Sequence, residues 1–182
     1  MDGVERTFSL RIAIVGSAGS GKSTLAAALS ARLHAPLVEL DELYWRPGWQ
    51  ATPIDEFEDK VMAALSAPAW IVCGNYSSVR PLVWGQADTL VWLDYSFPLS
   101  FYRLCLRTWR RIVTQEELWG GNRESWRAQL LSRDSLLLYA LRTHRRRRVE
   151  FALTLGEAEY AHLTVHRFRH PAQAEAWAAG IV

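Results

Sequence analysis

The stretch from Arg11 to Leu29, RIAIVGSAGSGKSTLAAAL, limits the fold of this chain more than any other part of the sequence. It begins with a short run of branched apolar residues that stops at Gly16, a pattern typical of a buried strand. Glycine, serine and alanine then fill positions 16–21, before a lysine and another serine. Leu25, Leu29 and Leu33 lie one helical turn apart, which predicts a helix with one apolar face. The stretch therefore predicts a strand, a tight loop and a helix in direct succession.

The loop of this stretch, GSAGSGKS, fits the phosphate-binding pattern G-x-x-x-x-G-K-[ST], the P-loop, in the strand-to-helix context that the pattern requires. Glycines let the backbone wrap a phosphate, and free amides at the helix N-terminus attract its charge. Lys22 places a compact cation on the β- and γ-phosphates, while the Ser23 hydroxyl is available to Mg²⁺. ATP and Mg²⁺ are therefore the predicted cofactors. The predicted nucleotide contacts in the loop are Gly16, Ser17, Ala18, Gly19, Ser20, Gly21, Lys22, Ser23 and Thr24.

Lysine is rare in this chain, which makes its place in the loop informative. The sequence has two lysines, Lys22 and Lys60, and nineteen arginines. Composition alone would favour arginine at position 22, yet a planar guanidinium does not replace the compact ammonium that this loop requires.

The rest of the composition is that of an ordinary globular domain. The chain has 182 residues, of which 49% are hydrophobic and 22% charged, and we expect a single domain over 1–182. The first residues carry no signal-like pattern, and no apolar run is long enough to cross a bilayer, so we expect a cytoplasmic protein without a membrane segment. Cys73 and Cys105 lie too far apart for a metal-binding pair.

Short apolar segments alternate with helical patterns along the rest of the chain. The predicted strands are PLVEL, WIVCG, TLVWLD and LTVHRF. Helices are predicted with Thr52 as N-cap and Pro53 in the first position, from Pro98, over Arg127–Arg148 and from Pro171. This alternation predicts a parallel sheet with helices on both faces.

Basic residues are concentrated in the second half of the chain. Between Arg103 and Arg148 there are twelve arginines and four acidic residues. Such an excess of positive charge favours an anionic partner, which is nucleotide phosphate, nucleic acid or an acidic membrane. The run at 142–148 makes nucleic acid a candidate partner, whereas the simplest alternative is a solvated basic surface.

The chain resembles the adenylate kinase, shikimate kinase and gluconate kinase group, because it combines a P-loop with late arginines and lacks the N-K-x-D motif of GTPases. More closely, ELDELYWRPGW, GNYSSVR, LWGGNRES and RTHRRRR resemble the adenylate kinase-related proteins called DNA topology modulation proteins. The resemblance implies an α/β P-loop NTPase three-layer sandwich, with a five-stranded parallel sheet in the order 2-3-1-4-5 and a helical lid at 112–126.

The same resemblance implies roles for several arginines. The spacing from Asp94 to Arg103 and Arg107 is similar to that in adenylate kinases, which implies that Arg103 lies against adenine and Arg107 clamps phosphate. Arg169 and Pro171 match the loop that packs on adenine in those enzymes. The lid candidates for contact with the transferring phosphoryl group are Arg123, Arg127 and Arg133.

Acidic and aromatic residues after the second and third predicted strands form the expected acceptor side. Asp41 is similar to the acid that holds an acceptor hydroxyl in shikimate and gluconate kinases, where it orients the hydroxyl and accepts its proton; alternatively, it is a helix N-cap. Glu39 shares a strand face with Asp41 and is the predicted second Mg²⁺ contact besides Ser23. Tyr44, Trp45 and Trp49 either stack on a flat acceptor or pack together. Further acceptor candidates are Arg46, Asn75, Tyr76 and Arg80.

These residues predict Mg²⁺- and ATP-dependent phosphoryl transfer to a small-molecule or nucleotide acceptor, with Lys22, Asp41, Arg107 and Arg123 as catalytic residues. Two alternatives remain: a nucleotide-regulated nucleic-acid-binding protein, and a slow P-loop ATPase. The second is favoured by Cys73, because nucleotide kinases commonly carry an acid at that position.

Overall fold

A central parallel sheet is the framework of the computed structural model, which describes residues 10–127 and 135–181. Its strands are β1 (Arg11–Gly16), β2 (Leu37–Glu39), β3 (Trp70–Cys73), β4 (Thr89–Leu93) and β5 (Thr164–Phe168). They lie in the order β2-β3-β1-β4-β5, and every neighbouring pair is parallel. The predicted α/β class and the predicted strand order are confirmed.

Helices cover both faces of this sheet. They are α1 (Lys22–Leu33), α2 (Leu40–Tyr44), α3 (Ile54–Ala64), α4 (Arg80–Gln86), α5 (Phe97–Thr114), α6 (Leu136–Thr154) and α7 (Pro171–Gly180). No helix within the described ranges has the length and apolar character needed to cross a membrane.

The side chains of β1 alternate between two buried clusters. Ala13 and Val15 join a cluster with Phe57 of α3, whereas Ile12 and Ile14 join the cluster on the opposite face with Leu29 of α1. Each fully buried side chain of this size contributes about 1.5–3 kcal/mol through removal from water. Because both faces of β1 are covered, its continuous apolar sequence is required, and its end is held rigidly at Gly16.

Two helix boundaries differ from those expected. Helix α3 begins at Ile54 with Pro53 at the cap position, so the predicted N-cap role of Thr52 is wrong. Thr52 is buried instead: its Oγ1 donates to the Leu43 carbonyl at 3.1 Å and its N–H to the Tyr44 carbonyl at 2.8 Å. Helix α6 begins after Ser135, whose side chain accepts a hydrogen bond from a backbone N–H of the first turn, and it extends beyond the predicted end at Arg148.

Two short antiparallel hairpins lie above the sheet. In the first hairpin, residues 45–51, Trp45–Arg46 pairs with Gln50–Ala51. In the second hairpin, residues 117–123, Glu117–Leu118 pairs with Asn122–Arg123. The second hairpin lies in the middle of the predicted lid segment 112–126, which therefore contains a hairpin rather than a helix between 117 and 123. The turn requires positive φ angles of 65° at Gly120 and 76° at Gly121, which a helix does not allow.

A buried carboxylate fastens α6 to the sheet. Asp94 follows β4, and its side chain is 3% exposed. It accepts hydrogen bonds from Arg148 of α6 at 2.8 Å and from Arg167 of β5 at 2.6 Å. The Arg167 guanidinium also lies over the Trp92 ring, 4.1 Å from its centroid. At least one arginine of the 142–148 run therefore has a structural role.

We expect Asp94→Ala to lower the free energy of unfolding by about 2 kcal/mol, because two charged partners lose their acceptor at a buried position. Both arginines can turn toward water, which keeps the loss below that of a fully buried ion pair. Denaturant unfolding measures the change. The exposed Asp59 provides the matched control, and Asp59→Ala should stay within about 0.5 kcal/mol of the wild type. Equal midpoints for the two variants would contradict the structural role of Asp94.

Candidate active site

The loop between β1 and α1 packs directly against α5. Gly19 has a φ of 78°, and a Cβ atom at this position would lie 2.2 Å from the Ser100 carbonyl oxygen of α5. Gly21, at the N-cap of α1, has a φ of 90°. Only glycine meets both requirements at position 19, so the loop backbone is fixed by its contact with α5.

Polar groups of the loop are arranged as an anion site requires. The Lys22 ammonium donates to the carbonyls of Gly16 and Ser17, both at 3.0 Å, and so lies across the mouth of the loop. Asn75, after β3, accepts from the Gly16 N–H at 3.3 Å and donates to the Gly16 carbonyl. The hydroxyl oxygens of Ser17 and Ser20 are buried without a partner among the described residues. Unpaired buried hydroxyls beside a cation fit a phosphate group.

Burial shifts the ionisation of Lys22. Removal of the ammonium from water lowers its pKa to about 8, although the nearby carboxylate of Asp41 acts in the opposite direction. The positive charges of Arg107 and Arg147 lower the pKa further. A bound phosphate would supply the negative charge that this ammonium lacks.

A wide cleft of about 1800 Å³ opens above the loop and the carboxyl ends of the strands. Its walls include the loop, the first turn of α1, parts of both hairpins, and the facing surfaces of α5, α6 and α7. The basic residues that line it besides Lys22 are Arg32, Arg103, Arg107, Arg111, Arg142, Arg146 and Arg147. This position, outside the carboxyl ends of parallel strands, is where α/β folds bind ligands.

Arg107 is a cleft arginine with a buried donor atom that is not used within the described residues. Its Nε is buried and has no hydrogen-bond partner in the part of the chain that the structure describes. Burial lowers its pKa, and the charge of Arg111 adds to this effect, while Glu124 and Asp41 oppose it. A buried guanidinium with an unused donor is poised to bind an anion that enters the cleft.

Asp41 and Tyr76 form a hydrogen-bonded polar pair in the wall of the cleft. The Tyr76 hydroxyl donates to Asp41 Oδ1 at 2.6 Å. Burial and the adjacent carboxylate raise the pKa of Tyr76, so the tyrosine keeps its proton and remains a donor. Glu39 occupies the N-cap position of α2, and Asp41 lies inside the first turn. The alternative that Asp41 is an N-cap is therefore wrong.

Ser23 and Glu39, the predicted contacts of Mg²⁺, lie in a part of the cleft that we call the metal side. Ser23 Oγ lies 3.9 Å from Cys73 Sγ, and Glu39 is the register partner of Cys73 in the neighbouring strand. Burial raises the pKa of Cys73 to about 12, so the thiol is neutral and cannot act as a carboxylate. Among the described residues, no cluster of three or more His, Cys, Asp or Glu side chains could enclose a metal ion. The Ser23 hydroxyl and the Glu39 carboxylate are nevertheless hard oxygen donors of the kind that hold Mg²⁺ together with phosphates and water.

Several predicted site residues are engaged elsewhere. The Arg46 guanidinium pairs with Glu56, and that of Arg80 pairs with Glu150 at 2.6 Å while it stacks on Trp84. The charge partners Lys60 and Arg46 lower the pKa of Glu56. Arg46 thus joins the first hairpin to α3, and Arg80 joins α4 to α6. Neither arginine lines the large cleft.

Of the predicted lid arginines, Arg123 and Arg127 are exposed and do not line the cleft. The Arg123 side chain is 54% exposed and lies 3.6 Å from Glu117 of the same hairpin. Arg127 is exposed, and Arg133 lies outside the described residues. Of the residues predicted to contact adenine, Arg103 and Pro171 line the cleft, whereas Arg169 is exposed and its backbone N–H donates to the Gln173 side chain.

Sequence reasoning missed several cleft residues, among them Arg147 and Glu124. Arg147 donates to the Asn75 carbonyl at 3.4 Å, and its guanidinium lies over the Tyr139 ring at 5.2 Å. Glu124 is buried and accepts from Arg111 at 3.3 Å. Arg142 and Arg146 are four residues apart and share one helix face, with Arg147 beside it. This spacing within the basic run could have predicted a common basic face. Glu124 could have been found as a lone acid in an arginine-rich part of the sequence, where a carboxylate is expected to pair with a guanidinium.

The aromatic residues of the first hairpin both pack together and line the cleft. Tyr44 and Trp45 meet edge to face at 5.0 Å, and Trp45 and Trp49 at 5.5 Å. Tyr44 also contacts Tyr76 at 4.5 Å. All four rings contribute to the wall of the cleft, so the two predicted alternatives for this cluster are compatible.

Comparison with known proteins identifies the fold. No family model matches the sequence, and no curated protein matches it. The chain is similar to the crystal structure of a gluconokinase from Sinorhizobium meliloti 1021, with 21% identity, coverage of 96% of this chain and 94% of that chain, and a TM-score of 0.51.

Two shikimate kinases are similar as well. The enzyme from Bacteroides thetaiotaomicron has 15% identity, coverage of 93% and 94%, and a TM-score of 0.54. The enzyme from Acinetobacter baumannii, solved in complex with shikimate, has 17% identity, coverage of 92% and 88%, and a TM-score of 0.51. At these identities the similarity shows the fold, which is the α/β fold of these P-loop kinases.

The tight contact of Gly19 with α5 gives one prediction. We expect Gly19→Ala to lower the free energy of unfolding by about 2 kcal/mol or more, because the new methyl group meets backbone and φ is positive. Gly85 of α4 is the matched control, since a Cβ atom there would meet nothing within 4 Å. Gly85→Ala should raise the stability by up to about 1 kcal/mol. A destabilised Gly85→Ala beside a neutral Gly19→Ala in thermal unfolding would contradict the description of the loop.

The shifted ionisation of Lys22 gives a second prediction. The rate of acylation by an amine-reactive reagent follows the neutral amine, so the rate at Lys22 should level off just above its pKa of about 8. Free lysine derivatives should continue to react faster up to about pH 10.4. Peptide-resolved mass spectrometry separates Lys22 from Lys60 and the N-terminus. A rate at Lys22 that still rises steeply at pH 10 would show that burial does not lower its pKa.

Proposed function

We propose that this protein transfers the γ-phosphoryl group of ATP to a hydroxyl group of a small-molecule acceptor. The observation that carries the proposal is the arrangement around one cleft: the Lys22 ammonium in the loop, the Asp41–Tyr76 pair, and Arg107, whose Nε has no partner among the described residues. These are the groups that phosphoryl transfer needs, because that chemistry depends on positioning and on stabilisation of negative charge.

The nucleotide side of the proposal involves the loop, α5 and α7. The loop amides, the hydroxyls of Ser17 and Ser20, and Lys22 would hold the β- and γ-phosphates. Arg103 and Pro171 line the side of the cleft where the adenine of ATP would lie. Bound Mg²⁺ would offset phosphate charge, with Ser23 and Glu39 as its contacts on this chain.

The acceptor side depends on Asp41. Its Oδ1 is held by Tyr76, which leaves Oδ2 to accept the acceptor hydroxyl proton and to orient that oxygen toward the phosphoryl group. Arg107 would bind the developing charge on the transferring group. Arg123 was the lid candidate for this role, but its exposure and its pairing with Glu117 favour Arg107.

The similar structures agree with this proposal. They are named as a gluconokinase and shikimate kinases, and one of them holds shikimate. We also propose, from the motifs of the two hairpins and the arginine run, that the chain is related to the adenylate kinase-related DNA topology modulation proteins and that it acts in the cytoplasm.

Nucleic acid is not supported as a partner. Arg142, Arg146 and Arg147 face the cleft, and Arg148 binds Asp94. These four residues are most of the basic run that suggested nucleic acid.

Slow ATP hydrolysis is the second candidate function. It is favoured by Cys73, whose neutral thiol stands where the related kinases commonly have an acid. Hydrolysis uses the same loop and Lys22, and differs only in that water replaces the acceptor.

ADP release from Mg²⁺ and ATP tests the proposal, with and without a panel of sugar acids, cyclic hydroxy acids, nucleosides and nucleotides. We expect one class of acceptor to raise the rate at least tenfold over the basal rate. Lys22→Ala should lower both rates by about 100-fold or more, because a cation on the transferring group is lost. Full activity in Lys22→Ala would refute phosphoryl transfer in this cleft.

Asp41→Asn separates the two candidate functions. The variant keeps the shape and the bond with Tyr76 but not the base, so we expect an acceptor-dependent rate about 100-fold lower or more, with nucleotide affinity nearly unchanged. Asp59→Asn, on the exposed face of α3, serves as the control and should leave both rates unchanged. If no acceptor raises the basal rate and Asp41→Asn has no effect, the protein is an ATPase.

A further inference from the structure

The two hairpins are docked to each other by a buried asparagine. Asn122 of the second hairpin is 5% exposed. Its Oδ1 accepts from the Trp49 N–H at 2.9 Å, and its Nδ2 donates to the Arg46 carbonyl at 2.9 Å. Its Nδ2 also donates to the Trp119 carbonyl at 2.7 Å. Each polar atom of this side chain is therefore used, which fixes the second hairpin on the first.

Close backbone contact supports the same docking. A Cβ atom at Gly120 would lie 2.9 Å from the Arg46 carbonyl carbon, so the two turns touch without side chains between them. The Trp49 indole donates to the Arg123 carbonyl at 3.3 Å. Contacts with the first hairpin thus hold the second hairpin in place.

Because the second hairpin is docked on the first, Trp119 lies at the metal side of the cleft. Its indole Nε1 donates to Glu39 Oε2 at 3.2 Å. The Arg111 guanidinium lies over the Trp119 ring, 5.8 Å from its centroid. Glu39 is the register partner of Cys73, next to Ser23.

We propose that Trp119 is a positioning residue that holds the Glu39 carboxylate in the orientation needed to bind Mg²⁺. This inference rests on the proposed function. A carboxylate that binds a metal directly or through water is usually fixed by a second hydrogen bond, and loss of that bond typically costs about 10–100-fold in metal affinity. The indole occupies Oε2, which leaves Oε1 free for the metal side.

The neutral thiol at position 73 makes this contact more important. An acid at that position would share the metal side with Glu39, but the cysteine side chain has no carboxylate oxygen to offer there. Glu39, the register partner of Cys73, is then the acid of the neighbouring strand on this side, and its orientation decides how well the site holds a cation. The second hairpin therefore contributes a hydrogen-bond donor to the site rather than the cation expected from the sequence.

The first experiment tests the contact in the nucleotide-free protein. The indole N–H resonance of Trp119 is identified by its loss in Trp119→Phe, and its hydrogen exchange is measured in other variants. We expect exchange at least tenfold faster in Glu39→Ala, which removes the acceptor, and in Asn122→Ala, which releases the hairpin. Trp109→Phe changes an exposed tryptophan of α5 and should leave this exchange unchanged. An indole that does not respond to Glu39→Ala would overturn the inference.

The second experiment measures the Mg²⁺ dependence of ATP hydrolysis. We expect the half-saturating Mg²⁺ concentration to rise about tenfold in Trp119→Phe, because phenylalanine keeps the ring but not the N–H. Glu39→Gln should shift it at least as far, whereas Trp109→Phe should stay within about twofold of the wild type, as an exposed substitution outside the cleft. If Trp119 only supported the fold, Trp119→Phe would lower thermal stability and leave the half-saturating Mg²⁺ concentration unchanged.

The two proposals fail in different ways. Hydrolysis that survives Lys22→Ala would refute the proposed function, whatever Trp119 does. Hydrolysis that depends on Lys22 but has the same Mg²⁺ dependence in Trp119→Phe and Trp109→Phe would overturn the inference alone.

Discussion

The buried ammonium of Lys22 is the interaction on which the arrangement of the cleft depends. It is held by two carbonyls of its own loop, and that loop is held by the end of β1 on one side and by α5 on the other. A lone buried cation is costly, and the surrounding groups reduce that cost only in part, because Asp41 opposes the effect of burial while two arginines add to it. The unliganded cleft therefore has an excess of positive charge, and an anion of matching shape would relieve it.

The walls of the cleft come from segments that are far apart in the sequence and are joined by a few specific contacts. Asp94 fastens α6, and with it the arginines that face the loop, while Asn122 fastens the second hairpin to the first. Each contact is a buried polar group whose hydrogen-bonding atoms are matched to partners on separate elements. Such groups add modest net stability but fix relative position strongly, since any other arrangement leaves a buried donor or acceptor unpaired. Position is what a transfer reaction requires most.

The sequence predicted those parts of the molecule that depend on local patterns. Alternating apolar and helical segments were sufficient for the parallel α/β sheet, and the glycine-rich loop was sufficient for Lys22. The strand order and the places of Arg103 and Arg107 came from the resemblance to the adenylate kinase group. The partners of Arg46 and Arg80 could not be predicted in this way, because Glu56 and Glu150 reach them only after the helices pack. Arg123 is exposed for a similar reason: the docking of Asn122 decides which side of its hairpin faces the cleft. Thr52 was misassigned because a threonine before a helix is typical of an N-cap, whereas here its hydroxyl and its N–H bond to the backbone that precedes the first hairpin.

The central position of β1 has a consequence for how the site comes into being. Its neighbours are β3 and β4, so Ile12 pairs with Ile71 on one side and with Thr89 on the other. Every pair of neighbouring strands in the sheet is separated by a long stretch of sequence. Non-local pairings of this kind form late, after long loops have closed. The phosphate loop acquires its shape only when the middle of the chain has assembled around its beginning. A nascent chain that has emerged only as far as α1 therefore contains the whole P-loop motif but lacks a phosphate site.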